Sequence, residues 1–509
     1  MKKTIKFLGH ASIYIKTDEV SIVTDPWFSK SGAFQSSWFQ FPDNTDIDFS
    51  WKDDLDYVCI SHEHKDHCDL EFLKTLNSRT SIIIPNYVGK RFRDMLNDEL
   101  DNDVIEVNSR HKFLLGDVEY TPLVQVPMGQ DDAALIFKVG DEVVVDMNDM
   151  KPSEDDIEWI KDNFDTTYLF AQFSGASWYP LVYDYDEEKM FKLSKDKRVF
   201  KYKSITKLID EINPNVYVPC AGPPCFLDEQ SFDLNFEEEN TFPTQANVHK
   251  FLRELNYDSV LLMPGDEIST TMNYDETSDN NLKNECFDDR FSYLNKYKKR
   301  RETLIKNFIN STENVDYSLL KKCKKYFIPL LKKSIMLSDK IGGSILLNIN
   351  GNVNEKIIID FINTKNSVRY YDDDKYFYEF ILESRWLNLI LDKEITWEDL
   401  FLSLRFKAKR QPDDYNEHLM AFLKLAEPTA HKNYEDFHFN EDLDNEVFIL
   451  DHNKKKYKCQ KYCPHAKADL SNGEVVDGNL VCPRHHWKFS LKDGKCLNNN
   501  SKIIMELQK

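Results

Sequence analysis

The sequence predicts a multidomain chain: a layered α/β unit first, a small α+β unit after it, and a small all-β module at the C-terminus. Three observations carry this reading. Short β-branched runs alternate with helix-period stretches from Lys3 to about Gly265, three strand-like runs followed by two helical patterns occupy 344–425, and short strands broken by Asn-Gly and Asp-Gly turns fill the chain from about His431. At 509 residues the chain also exceeds what one hydrophobic core organises, so roughly two to four domains are expected.

In the first unit, strands are expected at 21–24, 57–61, 81–85, 143–146 and 216–219, and helices at 70–76 and 248–255. Residues 266–316 are polar and charged, and 275–284 lack a periodic apolar face, so a linker or loosely attached helical segment is expected there, with a boundary near 270. Strands follow at 344–349, 356–362 and 375–383, with Gly351-Asn352 suited to a hairpin turn, then helices at 397–405 and 415–425. Asn472-Gly473, Asp477-Gly478 and Asp493-Gly494 mark the turns of the all-β module. The resulting division is 1–270, 271–316, 317–428 and 429–509. No internal repeat is evident.

With 66 basic against 87 acidic side chains the formal charge is −21, which repels phosphate backbones and anionic lipid surfaces; no nucleic-acid or membrane partner is expected. The longest apolar stretches, such as 344–349, fall far short of a bilayer span, and Met1-Lys2-Lys3-Thr4 runs directly into a strand pattern with no signal-peptide core. A soluble, cytoplasmic protein is the expectation. Four of the ten cysteines lie within 459–496, which favours a local metal site over a disulfide framework; Cys59, Cys68, Cys220, Cys225, Cys286 and Cys323 read as reduced thiols.

The strongest chemical signal is Cys463-Pro464-His465, sixteen intervening residues, then Cys482-Pro483-Arg484-His485. Two loops can each offer one sulfur and one nitrogen. That division suits a 2Fe-2S cluster in which one iron takes two thiolates and the other two imidazoles, whereas a structural zinc site, the alternative for the same donors, uses other spacings. With His486-Trp487-Lys488-Phe489 and Asp493-Gly494-Lys495, residues 459–497 resemble the Rieske family, in its ferredoxin and oxygenase branch: Ala468 and Arg484 stand where respiratory Rieske proteins carry an extra cysteine pair. Cys459 and Cys496 lie outside the motif and are expected to pack.

A second cluster, Ser61-His62-Glu63-His64-Lys65-Asp66-His67, follows the apolar run 57–60, so three imidazoles and a carboxylate converge where a strand ends. Such nitrogen and oxygen donors suit zinc, iron or manganese. H-x-H-x-D-H at a strand end, together with Gly9-His10-Ala11-Ser12 and Thr24-Asp25-Pro26-Trp27, resembles the metallo-β-lactamase fold. The resemblance implies metal ligation by His62, His64, Asp66 and His67, with Asp66 and His67 also catalytic. His10 is a further ligand or a ligand's partner, and Asp25 orients a ligating imidazole. A later histidine usual in that fold is missing: none lies between His111 and His249, and Pro127 falls near its place. The aspartate expected after the strand ending near Val145 could be Asp146, Asn148 or Asp149; Asp146 is preferred on position, although alignment by eye favours Asn148.

The pairing of these two units resembles the CMP-N-acetylneuraminate hydroxylase family, in which the Rieske domain comes first instead of last. Asp25-Pro26-Trp27, Phe173-Ser174-Gly175-Ala176-Ser177 with Pro180 beyond, Pro219-Cys220-Ala221-Gly222 and Arg410-Gln411-Pro412-Asp413-Asp414-Tyr415 extend the likeness. Residues 317–428 also look like a sterol-carrier-type α+β domain with an apolar pocket. What the resemblance implies is a monooxygenase that hydroxylates a small molecule, a sugar or nucleotide sugar among the candidates. Electrons would come from a reductase and a small carrier through the Rieske 2Fe-2S cluster (Cys463, His465, Cys482, His485) to non-haem iron, preferred over zinc or manganese because zinc has no redox chemistry. Ser174, Gly175, Ser177 and Trp178 are the expected substrate-pocket residues. A metal-dependent hydrolase with a redox-sensing Rieske domain, and a pure electron-transfer protein, are the competing readings.

Overall fold

The computed structural model describes residues 3–87, 89–125, 132–174, 177–236, 241–268, 280–312, 315–363, 365–439, 445–464, 469–482, 487–497 and 501–508. Its N-terminal half is a four-layer sandwich. One sheet has seven strands in the order Glu267–Ile268, Thr4–Gly9, Ser12–Lys16, Ser21–Thr24, Tyr57–Cys59, Ser81–Pro85 and Val104–Val107. The facing sheet has six, in the order Val216–Cys220, Tyr168–Gln172, Glu142–Asn148, Ala133–Val139, Val118–Val124 and Phe113–Leu115. Alternate residues of both sheets, among them Ile5, Phe7, Ile13, Ile15 and Ile22 against Tyr120, Leu135, Phe137, Val144 and Phe170, interlock in the core between them. The helix Arg91–Glu99 covers the outer face of the first sheet, and Glu154–Asn163, Glu187–Ile212 and Gln245–Glu254 cover the second.

Four strands of the first sheet, from Ser21–Thr24 to Val104–Val107, run parallel, and so do Glu142–Asn148, Tyr168–Gln172 and Val216–Cys220 of the second. Loops leaving the carboxyl ends of such strands converge on one edge of the sandwich, where α/β folds place their ligands. His62 to His67, Asp25 and Asp149 all sit in those loops.

The polar segment after 270 is more tightly integrated than its composition suggests. Residues 269–279 lie outside those described, but Arg290–Ser311 is one long helix whose Tyr293, Leu294, Tyr297 and Ile305 pack with Phe39, Phe41, Cys225 and Phe232. A few scattered apolar residues suffice to dock a helix rich in charge, which is why no continuous apolar pattern betrays it.

The middle unit is a five-stranded sheet in the order Val368–Tyr370, Glu355–Asp360, Ser344–Asn350, Tyr378–Glu383 and Phe406–Arg410. All pairs are antiparallel except Ser344–Asn350 with Tyr378–Glu383. Helices Leu320–Lys333, Ser384–Leu391, Trp397–Ser403 and Glu417–Leu425 fill its interior side with Phe327, Leu387, Trp397, Phe401 and Leu419, all fully buried. Val182 and Tyr183 from the sandwich enter the same core; the Ala408 amide donates to the Val182 carbonyl at 2.8 Å, and the Tyr183 and Tyr378 hydroxyls meet.

Just past this unit, where short strands and turns are expected from about His431, the chain instead forms the helix Pro428–His438 packed against it. His431 is fully buried, stacked on Phe422, with Nδ1 2.6 Å from the Ser334 hydroxyl and Nε2 2.9 Å from the Phe422 carbonyl. A neutral ring protonated at Nε2 satisfies both partners. Burial, opposed in part by the Phe422 carbonyl, lowers its pKa to about 4. A base with a folded pKa below its unfolded value stabilises fully above the unfolded pKa and loses that contribution as pH falls toward the folded one. Stability should therefore drop between about pH 6.5 and 4, by about 3 kcal/mol at the acid end. Urea melts across that range should show the decline, and His431→Gln, which cannot titrate, should flatten it.

The C-terminal module contains two small three-stranded sheets, Val447–His452, Lys455–Gln460 and Met505–Leu507 in one, Glu474–Val476, Asn479–Val481 and Lys488–Ser490 in the other. Asp477 and Gly478, both with positive φ, make the two-residue turn predicted between Val476 and Asn479. Gly494 is required at φ +73°, because a Cβ there would lie 2.2 Å from the Ile503 carbonyl oxygen. Among the described residues no helix is long and apolar enough to cross a membrane.

Candidate functional site

The N-terminal site is assembled from strand ends. After Tyr57–Cys59 the chain passes through Ser61 and His62, then turns, with the His67 and Cys68 amides both donating to the His64 carbonyl. That turn places His64 and His67 on one side. His62 Nε2 and His64 Nδ1 lie 2.9 Å apart, and His10 Nε2 lies 3.1 Å from Asp66 Oδ2. His67 Nδ1 is 2.8 Å from Asp25 Oδ2, and Asp25 also accepts from the Ser61 amide at 2.7 Å and the Ser61 hydroxyl at 2.5 Å. Asp25 thereby fixes one tautomer of His67 and turns its Nε2 inward. His10, Asp25 and Asn148 all hold positive φ without being glycine, so backbone strain gathers around this centre.

Two carboxylates join the imidazoles from the second sheet. Asp149 Oδ2 stands 3.7 Å from His67 Nε2, and Asp132, directly before Ala133–Val139, stands 3.8 Å from His62 Nε2. His10, Asp66 and His67, and also His62, His64 and Asp149, present donor atoms close enough together to hold a metal ion. Asp149, and not the preferred Asp146, is the aspartate brought among them: Asp146 is buried beside Asp25, and its Oδ1 accepts from the Asn148 amide at 3.1 Å. Pro127 lies outside the described residues, and the carboxylate facing His62 is Asp132. As a single acidic residue in a chain with 87 of them, Asp132 carried no sequence signal.

The electrostatics fit a cation. Burial alone would lower the pKa of His64 and His67, but Glu398 raises His64 to about 9, while Asp66, Asp149 and Asp25 raise His67 to about 10. Burial and the neighbouring imidazoles together press His62 well below its ordinary value. Burial pushes Asp66 upward, yet His67 and His10 hold it well below the usual carboxylate range. Burial, reinforced by Asp25, raises the Asp146 carboxyl well above its ordinary value. The carboxylates thus draw protons onto His64 and His67, and a divalent cation could supply that positive charge instead. His67 Nε2 is buried without a hydrogen-bond partner, as an atom reserved for a metal would be.

Of the expected pocket residues, Ser174 is fully buried at the end of Tyr168–Gln172, close enough to Gly222 that a Cβ there would come within 3.1 Å of its own Cβ. Lys197 donates to the Ser177 hydroxyl, and Trp178 packs on Phe401 of the middle unit at 5.0 Å between ring centres. Gly175 lies outside the described residues. No contact brings these side chains to the imidazoles among the described residues.

In the C-terminal module Cys463 and Cys482 are fully buried in one small core with Trp487, Phe489 and Leu480. Each begins a loop pinched at its base: Tyr462 bridges Asp469 across the first, and the Cys482 amide donates to the Trp487 carbonyl at 2.8 Å across the second. Two buried thiols on two closed loops fit an iron–sulfur cluster; His465 and His485 lie outside the described residues. Cys459 and Cys496 are buried as packing residues, and Cys459 Sγ is 3.3 Å from Met505 Sδ.

Comparison with known families matches a beta-lactamase superfamily domain over residues 4–127, an Rv3818-like, SCP2-like domain over 319–440 and a Rieske [2Fe-2S] domain over 426–503. The α/β sandwich is thus of metallo-β-lactamase type, the middle unit sterol-carrier-like and the last a Rieske domain carrying a 2Fe-2S cluster. Proteins of Mycolicibacterium smegmatis and Mycobacterium tuberculosis named as Rieske 2Fe-2S iron-sulfur proteins, the second as Rv3818, are each 31% identical, covering 96% of this chain and 97% of theirs. The cytidine monophosphate-N-acetylneuraminic acid hydroxylase of Danio rerio is 21% identical, over 84% of this chain and 73% of its own.

Proposed function

The chain belongs to the Rv3818-like family of Rieske 2Fe-2S iron-sulfur proteins, and from that membership we propose that this oxidoreductase is a monooxygenase, hydroxylating a small molecule at a non-haem iron in its N-terminal sandwich. The carrying observation is that a one-electron module and a buried centre built only from imidazoles and carboxylates occur in one chain. Bound iron would supply redox chemistry toward dioxygen, and the cluster single electrons from a reductase and small carrier.

This chain's own residues prepare the site. His62, His64, Asp66 and His67 would hold the metal, with His10, Asp149 and Asp132 at its margins. Asp25 keeps His67 in one tautomer, and burial of His62, Asp66 and His67 keeps bulk water off that side. Cys463, His465, Cys482 and His485 would hold the cluster, and the division 1–270, 271–316, 317–428 and 429–509 is the proposed domain plan. The Danio rerio relative's name makes sugars and nucleotide sugars the first substrates to try, with Ser174, Gly175, Ser177 and Trp178 as proposed contacts on the approach from the middle domain.

The test is oxygen dependence. With reductase, carrier and a substrate from that class, product should form only under dioxygen and carry one atom of labelled oxygen. Equal product under nitrogen, with two zinc ions in the sandwich, would replace this reading by a hydrolase.

A further inference from the structure

We propose that Glu398, contributed by the middle domain, is a positioning residue of the N-terminal metal centre, holding the His64 imidazole so that Nδ1 faces the metal position. The proposal rests on the reading of the histidine cluster as a metal centre and adds a second domain to it.

His62, His64 and His67 are anchored differently. His67 is fixed by Asp25 at 2.8 Å and His62 by the Ser61 hydroxyl at 2.9 Å, both partners from the same strand-end loops. Among the described residues His64 has no such anchor within the sandwich: its Nδ1 points toward His62 Nε2, its ring lies edge-on to Phe34 at 6.2 Å between ring centres, and its side chain is 23% exposed against 2% and 0% for His62 and His67. Its other nitrogen, Nε2, faces Glu398 Oε2 at 3.7 Å. That contact is slightly long for a hydrogen bond and of the carboxylate–imidazole–metal kind, in which an outer carboxylate sets the tautomer and orientation of a ligating ring.

Glu398 is itself placed by rigid structure. It lies in the first turn of Trp397–Ser403, whose Thr396–Asp399 capping box fixes the helix start, and it pairs with Lys424 on the neighbouring helix Glu417–Leu425. The helix is pinned to the sandwich on several sides. Trp38 Nε1 donates to the Leu402 carbonyl at 2.7 Å, the Ser37 hydroxyl to the Ser403 carbonyl at 2.6 Å, and Arg405 Nη2 to the Gln35 carbonyl at 3.1 Å. Lys65, inside the metal motif, reaches Asp399 at 3.2 Å. Gln35 belongs to a run of three residues, Phe34 to Ser36, all at positive φ, a strained turn shaped to receive that helix. A carboxylate on so fixed an element can orient a ligand precisely enough to matter.

Glu398 could instead serve only to pair Lys424, and full-length protein titrated with Co(II) alone distinguishes the two. Glu398→Gln keeps the shape and removes the charge; it should weaken Co(II) binding by roughly 10–100-fold and change the ligand-field spectrum of the bound ion. Glu398→Asp should fall between wild type and Glu398→Gln. Lys424→Met, which removes the other half of the pair but leaves the carboxylate, should retain near wild-type affinity and spectrum. Unchanged affinity and spectrum in Glu398→Gln, or equal losses in Glu398→Gln and Lys424→Met, would overturn the positioning role while leaving the metal centre in place. No Co(II) binding by the wild type would overturn both.

Discussion

Cys482→Ser should give a protein that still holds metal in its sandwich but has lost the red-brown colour and the paramagnetic signal of a reduced 2Fe-2S cluster, with oxygen-dependent product formation reduced by ~10³-fold or more, above 4 kcal/mol in barrier. Soft thiolates select iron–sulfur clusters, and a serine hydroxyl, harder and protonated at neutral pH, is a poor substitute. The loop should nevertheless close, because the contact pinching it runs from the Cys482 backbone amide to the Trp487 carbonyl and does not use the sulfur. Loss of the cluster should mainly disturb its own module: among the described residues Cys463 and Cys482 pack in a small core with Leu470, Leu480, Trp487 and Phe489, all from the C-terminal module. Visible absorption, paramagnetic resonance of the dithionite-reduced protein and metal analysis check the three parts separately. Full activity in the colourless variant would end the electron-relay reading.

What was legible in the sequence, and what was not, divides along distance in the chain. The H-x-H-x-D-H run declares itself because its donors fall within a few residues of a strand end and local geometry brings them together, and the two Cys/His pairs declare themselves by residue type and spacing. Asp25 was legible as an orienting residue through its Thr24-Asp25-Pro26-Trp27 context, and its 2.8 Å contact with His67 fits that expectation. Asp132 and Glu398 were not. Each is one of 87 acidic side chains with no metal-ligand motif around it, and only the pairing of Ala133–Val139 within the sheet, or the docking of Trp397–Ser403 onto the sandwich, brings it beside an imidazole. Asp146 against Asp149 turned on where a strand ends: Glu142–Asn148 runs past the expected residue 146, keeping Asp146 within the sheet and releasing Asp149 into the site. The segment of Arg290–Ser311 was legible only as a linker or loosely attached helix, because its few buried apolar residues are scattered among charged ones.

His64→Ala should produce the mirror image of Cys482→Ser. The cluster should assemble, reduce and give an unaltered signal, since among the described residues the C-terminal core is built from its own module and not from His64, while the sandwich should lose iron and no product should form. Losing an orienting partner typically costs 10–100-fold in metal affinity, so losing the ligand itself should cost more than about 100-fold. The fold should survive. Truncating His64 leaves Glu398 in contact with Lys424, so no carboxylate is stranded, and the side chain is partly exposed, which keeps the cost to about 1 kcal/mol. The pair of variants then separates electron supply from oxygen chemistry. Mixing the two purified variants adds a sharper arm: if electrons pass only within one chain, the mixture stays inactive, whereas transfer between chains restores product, because one partner keeps a cluster and the other an intact iron site. A His64→Ala protein that hydroxylates substrate at the wild-type rate would place the reaction somewhere other than the sandwich.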